Sequence, residues 1–313
     1  MRKVALSLFG LFTAATLTLG LPVKGEAAMQ WSDLTKRHRP QPNAQITYGI
    51  EALQHVDVWL PEGKAIHPVV LMVHGGCWQT DVADASLMNY IAGDLRSRGI
   101  AVWNIEYRGV DRPGGGYPGT FLDAASAADA LASRAKKYRL NIKNVVALGH
   151  SAGGHLALWL AARERIPKGS ALYKPKLLSI TTAISVGGLP DLKAAQTPPG
   201  DTCGVDAVRK LTGKPSANRR DVYYDTSPPE LMPFSANQVL INATLDFIAP
   251  PSFADAYEAR AKSHKQTVRR VVVPEEGHVE LIAPGTASWA AVVREIERAL
   301  HLQPTSLPER QSK

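Results

Sequence analysis

Eight short apolar runs recur along the chain, and helix-like stretches fill the gaps between the later ones. The runs are Gln45–Tyr48, His55–Leu60, Pro68–Val73, Ala101–Tyr107, Val145–Leu148, Ile180–Val186, Gln238–Thr244 and Val268–Val273. Several are rich in Val and Ile without clean polar alternation, as strands buried on both faces of a parallel sheet are. The amphipathic stretches are Ala85–Arg98, Thr120–Tyr138, Gly153–Arg163, Pro251–Lys262 and Ala287–Leu300. Alternation at this spacing predicts a doubly wound α/β sheet of mostly parallel strands, with helices on both faces. No helical stretch separates the first two or three runs, so that edge is expected to be antiparallel. With 313 residues, 45% of them hydrophobic, a single domain can bury the whole pattern.

Residues 1–28 read as an export signal. Arg2 and Lys3 precede an apolar stretch, Val4 to Leu21, and Pro22 ends it. Gly25-Glu26-Ala27 and Glu26-Ala27-Ala28 are two small-residue cleavage sites. The expected mature protein is periplasmic or secreted, without stable insertion in a membrane. The long apolar run leaves an uncleaved anchor as the alternative. Residues 29–45 are polar, contain Pro40 and Pro42, and read as an extended arm. The folded domain is expected over 46–302, followed by a disordered tail over 303–313. Residues 187–236 break the rhythm with Gly, Pro and Asp and only one helix-like piece near Val205–Leu211. They begin at the carboxyl end of a strand, where ligands bind in such sheets, and are expected to be a lid-like insertion shaping the pocket. The loop Asp111–Gly119 holds Gly114-Gly115-Gly116 and is expected to contribute too.

The net charge of +8 is scattered among short groups such as Lys136-Lys137, Arg219-Arg220 and Arg269-Arg270. None interleaves with aromatics, so no nucleic-acid surface is expected. The two cysteines, Cys77 and Cys203, have no metal-site spacing. In an exported chain they permit one disulfide, which would tie the Cys77 loop to the insertion.

The chemistry-bearing stretch is Gly149-His150-Ser151-Ala152-Gly153, between a strand-like run and a helix of small residues. A serine on such a sharp strand-to-helix turn is exposed at the end of a sheet as a nucleophile. Its hydroxyl needs an imidazole to take the proton and a carboxylate to orient that imidazole. His278 follows the last run across Pro274-Glu275-Glu276-Gly277, and Asp246 follows the run before it. Asp191, after Gly187-Gly188-Leu189-Pro190, is the rival acid. The run Pro68–Val73 leads into His74-Gly75-Gly76-Cys77-Trp78. Backbone N–H groups of Gly76 and Cys77, with that of Ala152, are the expected oxyanion donors. Trp78, His150 and Tyr117 are the candidate pocket residues. No metal or cofactor is required.

His74-Gly75-Gly76-Cys77-Trp78, Glu106-Tyr107-Arg108 and Gly149-His150-Ser151-Ala152-Gly153-Gly154-His155 together resemble α/β-hydrolases of the esterase/lipase group. The HGGxW pattern is similar to that of kynurenine formamidase-like hydrolases. Cys77 stands where a larger residue is commoner. The resemblance covers residues 50–300 apart from the insertion. It implies an α/β-hydrolase fold with an eight-stranded, mostly parallel sheet. It also implies a carboxylesterase-like serine hydrolase of small-molecule esters, with amide substrates such as an arylformamide as the alternative. A catalytically inactive binding module fits less well, because Ser151, Asp246 and His278 are all retained.

Overall fold

Residues 28–198 and 201–303 are described by the computed structural model. The expected signal, apart from Ala28, and the tail beyond residue 303 lie outside the described residues. Eight strands form one sheet: β1 (Ala44–Thr47), β2 (His55–Trp59), β3 (His67–Val73), β4 (Ala101–Ile105), β5 (Leu140–His150), β6 (Thr182–Val186), β7 (Asn237–Ala243) and β8 (Val268–Val273). Their order across the sheet is β1-β2-β4-β3-β5-β6-β7-β8. β1 and β2, and β2 and β4, pair antiparallel. Every other pairing is parallel.

The apolar runs are explained by their two buried faces. Along β3, Val69, Leu71 and Val73 enter one core, while Val70 and Met72 enter the other. Side chains alternate across a strand, so a strand covered on both sides must be apolar at every position. Helices α2 (Asn89–Ser97) and α7 (Ala287–Ala299) cover one face. Helices α3 (Gly119–Tyr138), α4 (Ala152–Ala162), α5 (Val205–Thr212) and α6 (Pro251–Ser263) pack in the other layer. All eleven residues of α4 are buried, which accounts for its run of Ala, Gly and Leu. Among the described residues, no helix is long and apolar enough to cross a membrane.

The expected extended arm opens instead with a short helix, α1 (Trp31–Thr35). The Gln30 N–H donates to the Asp33 carboxylate at 2.8 Å, and Leu34 is fully buried. A polar composition hid these contacts, because one apolar side chain per turn suffices to dock so short a helix.

The insertion 187–236 is fastened to the body through Asp225. This fully buried carboxylate receives Arg219 at 2.8 Å, Ser170 Oγ at 2.6 Å and the Tyr117 hydroxyl at 3.0 Å. Its carbonyl accepts the Trp159 indole N–H at 2.8 Å. The Arg219 guanidinium also lies over the Tyr117 ring, 3.6 Å from its centroid. This part of the insertion is therefore a packed, hydrogen-bonded wall.

Candidate active site

Strands β5, β7 and β8 deliver three side chains to the carboxyl end of the sheet. Ser151 follows β5 directly, with φ 55° and ψ −125°. A residue other than glycine pays conformational strain there, and such strain persists where surrounding structure enforces it. Two contacts enforce it here: Ser151 N–H donates to Val186 O at 2.9 Å, and Gly154 N–H donates to Ser151 O at 2.8 Å. Close packing does the rest. A methyl group on Gly153 would stand 2.2 Å from Val73 O and 2.4 Å from His74 O, so only hydrogen fits where α4 meets the end of β3.

Asp246 and His278 form a buried pair. The His278 Nδ1 lies 2.7 Å from Asp246 Oδ2, and the two residues are 5% and 2% exposed. Asp246 Oδ1 accepts from the N–H groups of Ile248 and Ala249 at 2.9 and 2.8 Å, which fixes the carboxylate in place. With a carboxylate at Nδ1, the proton of the neutral ring sits on Nδ1 and Nε2 keeps its lone pair. Asp191, the rival acid, instead accepts from the Lys193 N–H at 2.8 Å. Among the described residues Ser151 Oγ has no hydrogen-bond partner; hydrogen bonds between a nucleophile and its base are often long without substrate.

The loop after β3 faces the serine. A methyl group on Gly75 would stand 2.9 Å from Ser151 Cβ. Gly76, Cys77 and Trp78 all have positive φ, at 93°, 55° and 57°, and the Gln79 N–H closes the turn on Gly76 O at 2.8 Å. Among the described residues, neither the Gly76 nor the Cys77 N–H donates to a backbone acceptor. These groups, with the Ala152 N–H at the start of α4, are the ones the sequence singles out as oxyanion donors, and the first two are left without a backbone partner.

His74 holds that loop from below. Its Nδ1 meets Gly75 O at 2.8 Å and its Nε2 meets Glu106 Oε1 at 2.9 Å. Both ring nitrogens face acceptors, so the ring is an imidazolium. Burial pushes its pKa down, but the Glu106 carboxylate, helped by Gly75 O and Asp84, more than offsets burial and raises it above the ordinary value. Burial likewise opposes the Glu106 charge, and His74 together with the Ala85 and Tyr107 N–H groups more than offsets it, holding Glu106 below its usual value. The His74 ring stacks on Tyr107 with centroids 4.3 Å apart. His150 behaves in the opposite way. Burial, then the His278 ring, pushes its pKa well down, and the neutral ring donates from Nε2 to His278 O at 3.1 Å.

Ser151, His278, His150, Gly76 and Cys77 share one cavity of about 310 Å³. The other walls are Trp31 and Thr35 of α1, Val82, Ala83 and Leu87 from the segment before α2, and Ile248. Two larger depressions lie elsewhere, at the amino ends of the strands around Asn144 and Arg269 and at Asn43 and Arg96; neither contains Ser151 or His278. Among the described residues, no group of three His, Cys, Asp or Glu side chains is placed to hold a metal ion.

Three pocket expectations need correction. Trp78 does not line the cavity; it is fully buried and meets His155 edge-on at 5.6 Å. Tyr117 is turned away toward Asp225 and Arg219. Among the described residues, none of 187–236 or of 111–119 borders the cavity. The insertion reaches it indirectly, through the Cys77–Cys203 disulfide and a Thr202 Oγ1 bond of 3.2 Å to Ile248 O. The wall residues of α1 escaped the sequence reading; an aromatic, Trp31, in an otherwise polar arm was the available signal.

Solved structures share this architecture, which is the α/β-hydrolase fold. Esterase B from Lactobacillus rhamnosis matches with a TM-score of 0.70 and 18% identity, over 84% of this chain and 87% of its own. A truncated carbohydrate esterase from gut microbiota matches at 0.66 and 16%, over 84% and 100%. Thermogutta terrifontis esterase 2, phosphorylated by paraoxon, matches at 0.65 and 16%, over 84% and 96%. No curated protein matches the chain in sequence. Over residues 56–253, which contain Ser151, Asp246 and the loop after β3, the chain matches the family model described as BD-FAE, and it belongs to that family.

Proposed function

We propose that this protein is an exported serine hydrolase of small carboxylic esters. The observation that carries the reading is the strained Ser151 and the buried Asp246–His278 pair opening onto one cavity. Ser151 Oγ attacks the acyl carbon while His278 Nε2 takes its proton. Gly76, Cys77 and Ala152 N–H groups receive the oxyanion. His278 then protonates the leaving alcohol, and water, activated by the same imidazole, releases the acid. Asp246 orients His278 and stabilises its charged form.

A cavity of about 310 Å³ suits a short acyl group and one flank of the alcohol. The carbohydrate esterase among the structural neighbours supports acylated sugars as the first substrates to try. Amide hydrolysis is the second reading, favoured by the His74-Gly75-Gly76-Cys77-Trp78 pattern and its likeness to kynurenine formamidases.

A substrate panel tests both. It contains short- and long-chain acyl esters, an aryl ester, acetyl-sugar and feruloyl esters, N-formylkynurenine and an aminoacyl arylamide. We expect fastest turnover of a short acyl ester and loss of at least about 10³-fold in kcat for Ser151→Ala, with the fold retained. Wild-type rates in Ser151→Ala end the serine mechanism. Fastest turnover of N-formylkynurenine replaces ester with formamide.

A further inference from the structure

Glu280 is a buried carboxylate that the mechanism above does not use. It lies two residues after His278, in the 3₁₀ turn Glu280–Ile282, and is 6% exposed. Oε1 accepts the backbone N–H of Met29, while Oε2 is buried with no partner. Among the described residues no cation lies within ion-pair distance of it. The neighbouring Glu276 has an evident task, since it accepts from Ala287 and Ser288 N–H at the start of α7. Glu280 makes no such cap. A carboxylate kept dry with one neutral donor lacks the partner that offsets its desolvation.

Its surroundings indicate that partner. A methyl group on Gly277 would stand 3.3 Å from Glu280 Oε2 and 3.1 Å from Ala28 Cβ, so the idle oxygen and Ala28 flank the same spot. The two small-residue cleavage sites of the leader end at Ala27 and at Ala28. Cutting at either one creates an α-ammonium at Ala28, one residue before the contact with Oε1, or at Met29, whose nitrogen already makes that contact. The terminus and the carboxylate would then be a charge-assisted pair in a dry site.

We propose that Glu280 is the receptor for the amino terminus freed by export processing, and that this pair holds α1 over the substrate cavity. Glu280 is thereby a positioning residue. It anchors the start of α1, and Arg37 anchors the end, donating from Nη1 to Pro284 O at 2.9 Å on the same loop. Between these anchors Trp31 sits edge-on to His278 at 6.1 Å and to His150 at 6.2 Å. Trp31 forms one wall of the cavity and is still 39% exposed, so its place depends on the clamp as well as on buried Leu34. One loop, 278–284, therefore carries both the base and the attachment of the cap above it.

The inference rests on the exported reading, and its first readout is independent of ester hydrolysis. The processed protein is purified after export, its terminus is read by mass spectrometry, and that amine is reacted with a limiting amine-specific reagent. The comparison is a form with a Gly-Ser extension before the native terminus. We expect the native amine to react about tenfold more slowly than the extended one, and Glu280→Gln to erase the difference. On a bulky ester, we expect Glu280→Gln, Trp31→Ala and the extended form each to raise KM about fivefold, with kcat within about twofold of wild type. The extended form leaves the interior untouched and serves if Glu280→Gln fails to fold. Equal amine reactivity in native and extended forms overturns the proposal, as does a mature terminus elsewhere than Ala28 or Met29. Protection without any ester hydrolysis leaves the clamp standing and removes the proposed activity; hydrolysis without protection does the reverse.

Discussion

Ser151 has a backbone that its own side chain disfavours. At φ 55° and ψ −125° any residue with a Cβ is strained, and the strain is balanced by the packing of β5 and α4 around it. Two substitutions that both delete the hydroxyl separate the two effects. Ser151→Ala keeps the Cβ and the strain. Ser151→Gly relieves it, against a smaller loss from the greater freedom of glycine in the unfolded chain. Urea unfolding is expected to find Ser151→Gly more stable than Ser151→Ala by about 1 kcal/mol, with both variants inactive. Equal stabilities would mean that the turn is not strained in solution. This position was legible in the sequence because the constraint is local: glycine on both sides of a serine, with a strand before and a helix after. Gly153 adds the physical reason, since its missing side chain lets α4 approach Val73 O.

Elements were legible where burial repeats along them. β8 occupies the expected Val268–Val273, and the other strands differ from expectation mainly at their ends, where hydrogen bonding rather than hydropathy sets the limit. Helix α1 was not legible, because five residues offer no periodicity and its stability comes from tertiary contacts such as buried Leu34. The direction of a loop side chain was equally hidden. Tyr117 and Trp78 look alike as aromatics near glycines, yet one turns to Asp225 and the other is sealed against His155. The disulfide joins two elements 126 residues apart, the loop after β3 and the turn Asp201–Cys203. Disulfides typically contribute about 2–4 kcal/mol. Cys203→Ser is expected to lower the melting temperature, expose Cys77 to maleimide and raise KM, because Cys77 borders the cavity. An unchanged melting temperature would mean that the bond carries no structural load.

At the scale of the whole molecule, buried histidines in different electrostatic surroundings contribute to stability against pH. His74 is charged and paired with Glu106, and its raised pKa contributes stability that is complete below its ordinary value and fades as pH rises through the raised one. Glu106, held low, contributes stability that is complete above its ordinary value and fades as pH falls through the lowered one. His155, on α4, turns its ring toward the insertion. Its Nε2 donates to Thr226 O at 2.8 Å, and its Nδ1 is buried without a partner. Protonation would bury an unpaired N–H, and burial accordingly lowers its pKa from 6.5 to about 4. A depressed pKa means that the unfolded chain binds the proton first. The stability tied to neutral His155 is therefore complete above pH 6.5 and is lost progressively as pH falls toward 4. Each tenfold change in proton affinity is worth about 1.4 kcal/mol, so this group alone contributes about 3 kcal/mol between those limits. His155→Gln keeps a donor for Thr226 O and cannot titrate. Urea melts of the variant are expected to show a shallower loss of stability between pH 6.5 and 4.5 than wild type, by about 2 kcal/mol, whatever the variant loses at neutral pH through altered packing. Parallel curves for the two proteins would mean that His155 is protonated or solvated in the native state, and that the insertion is not sealed against α4.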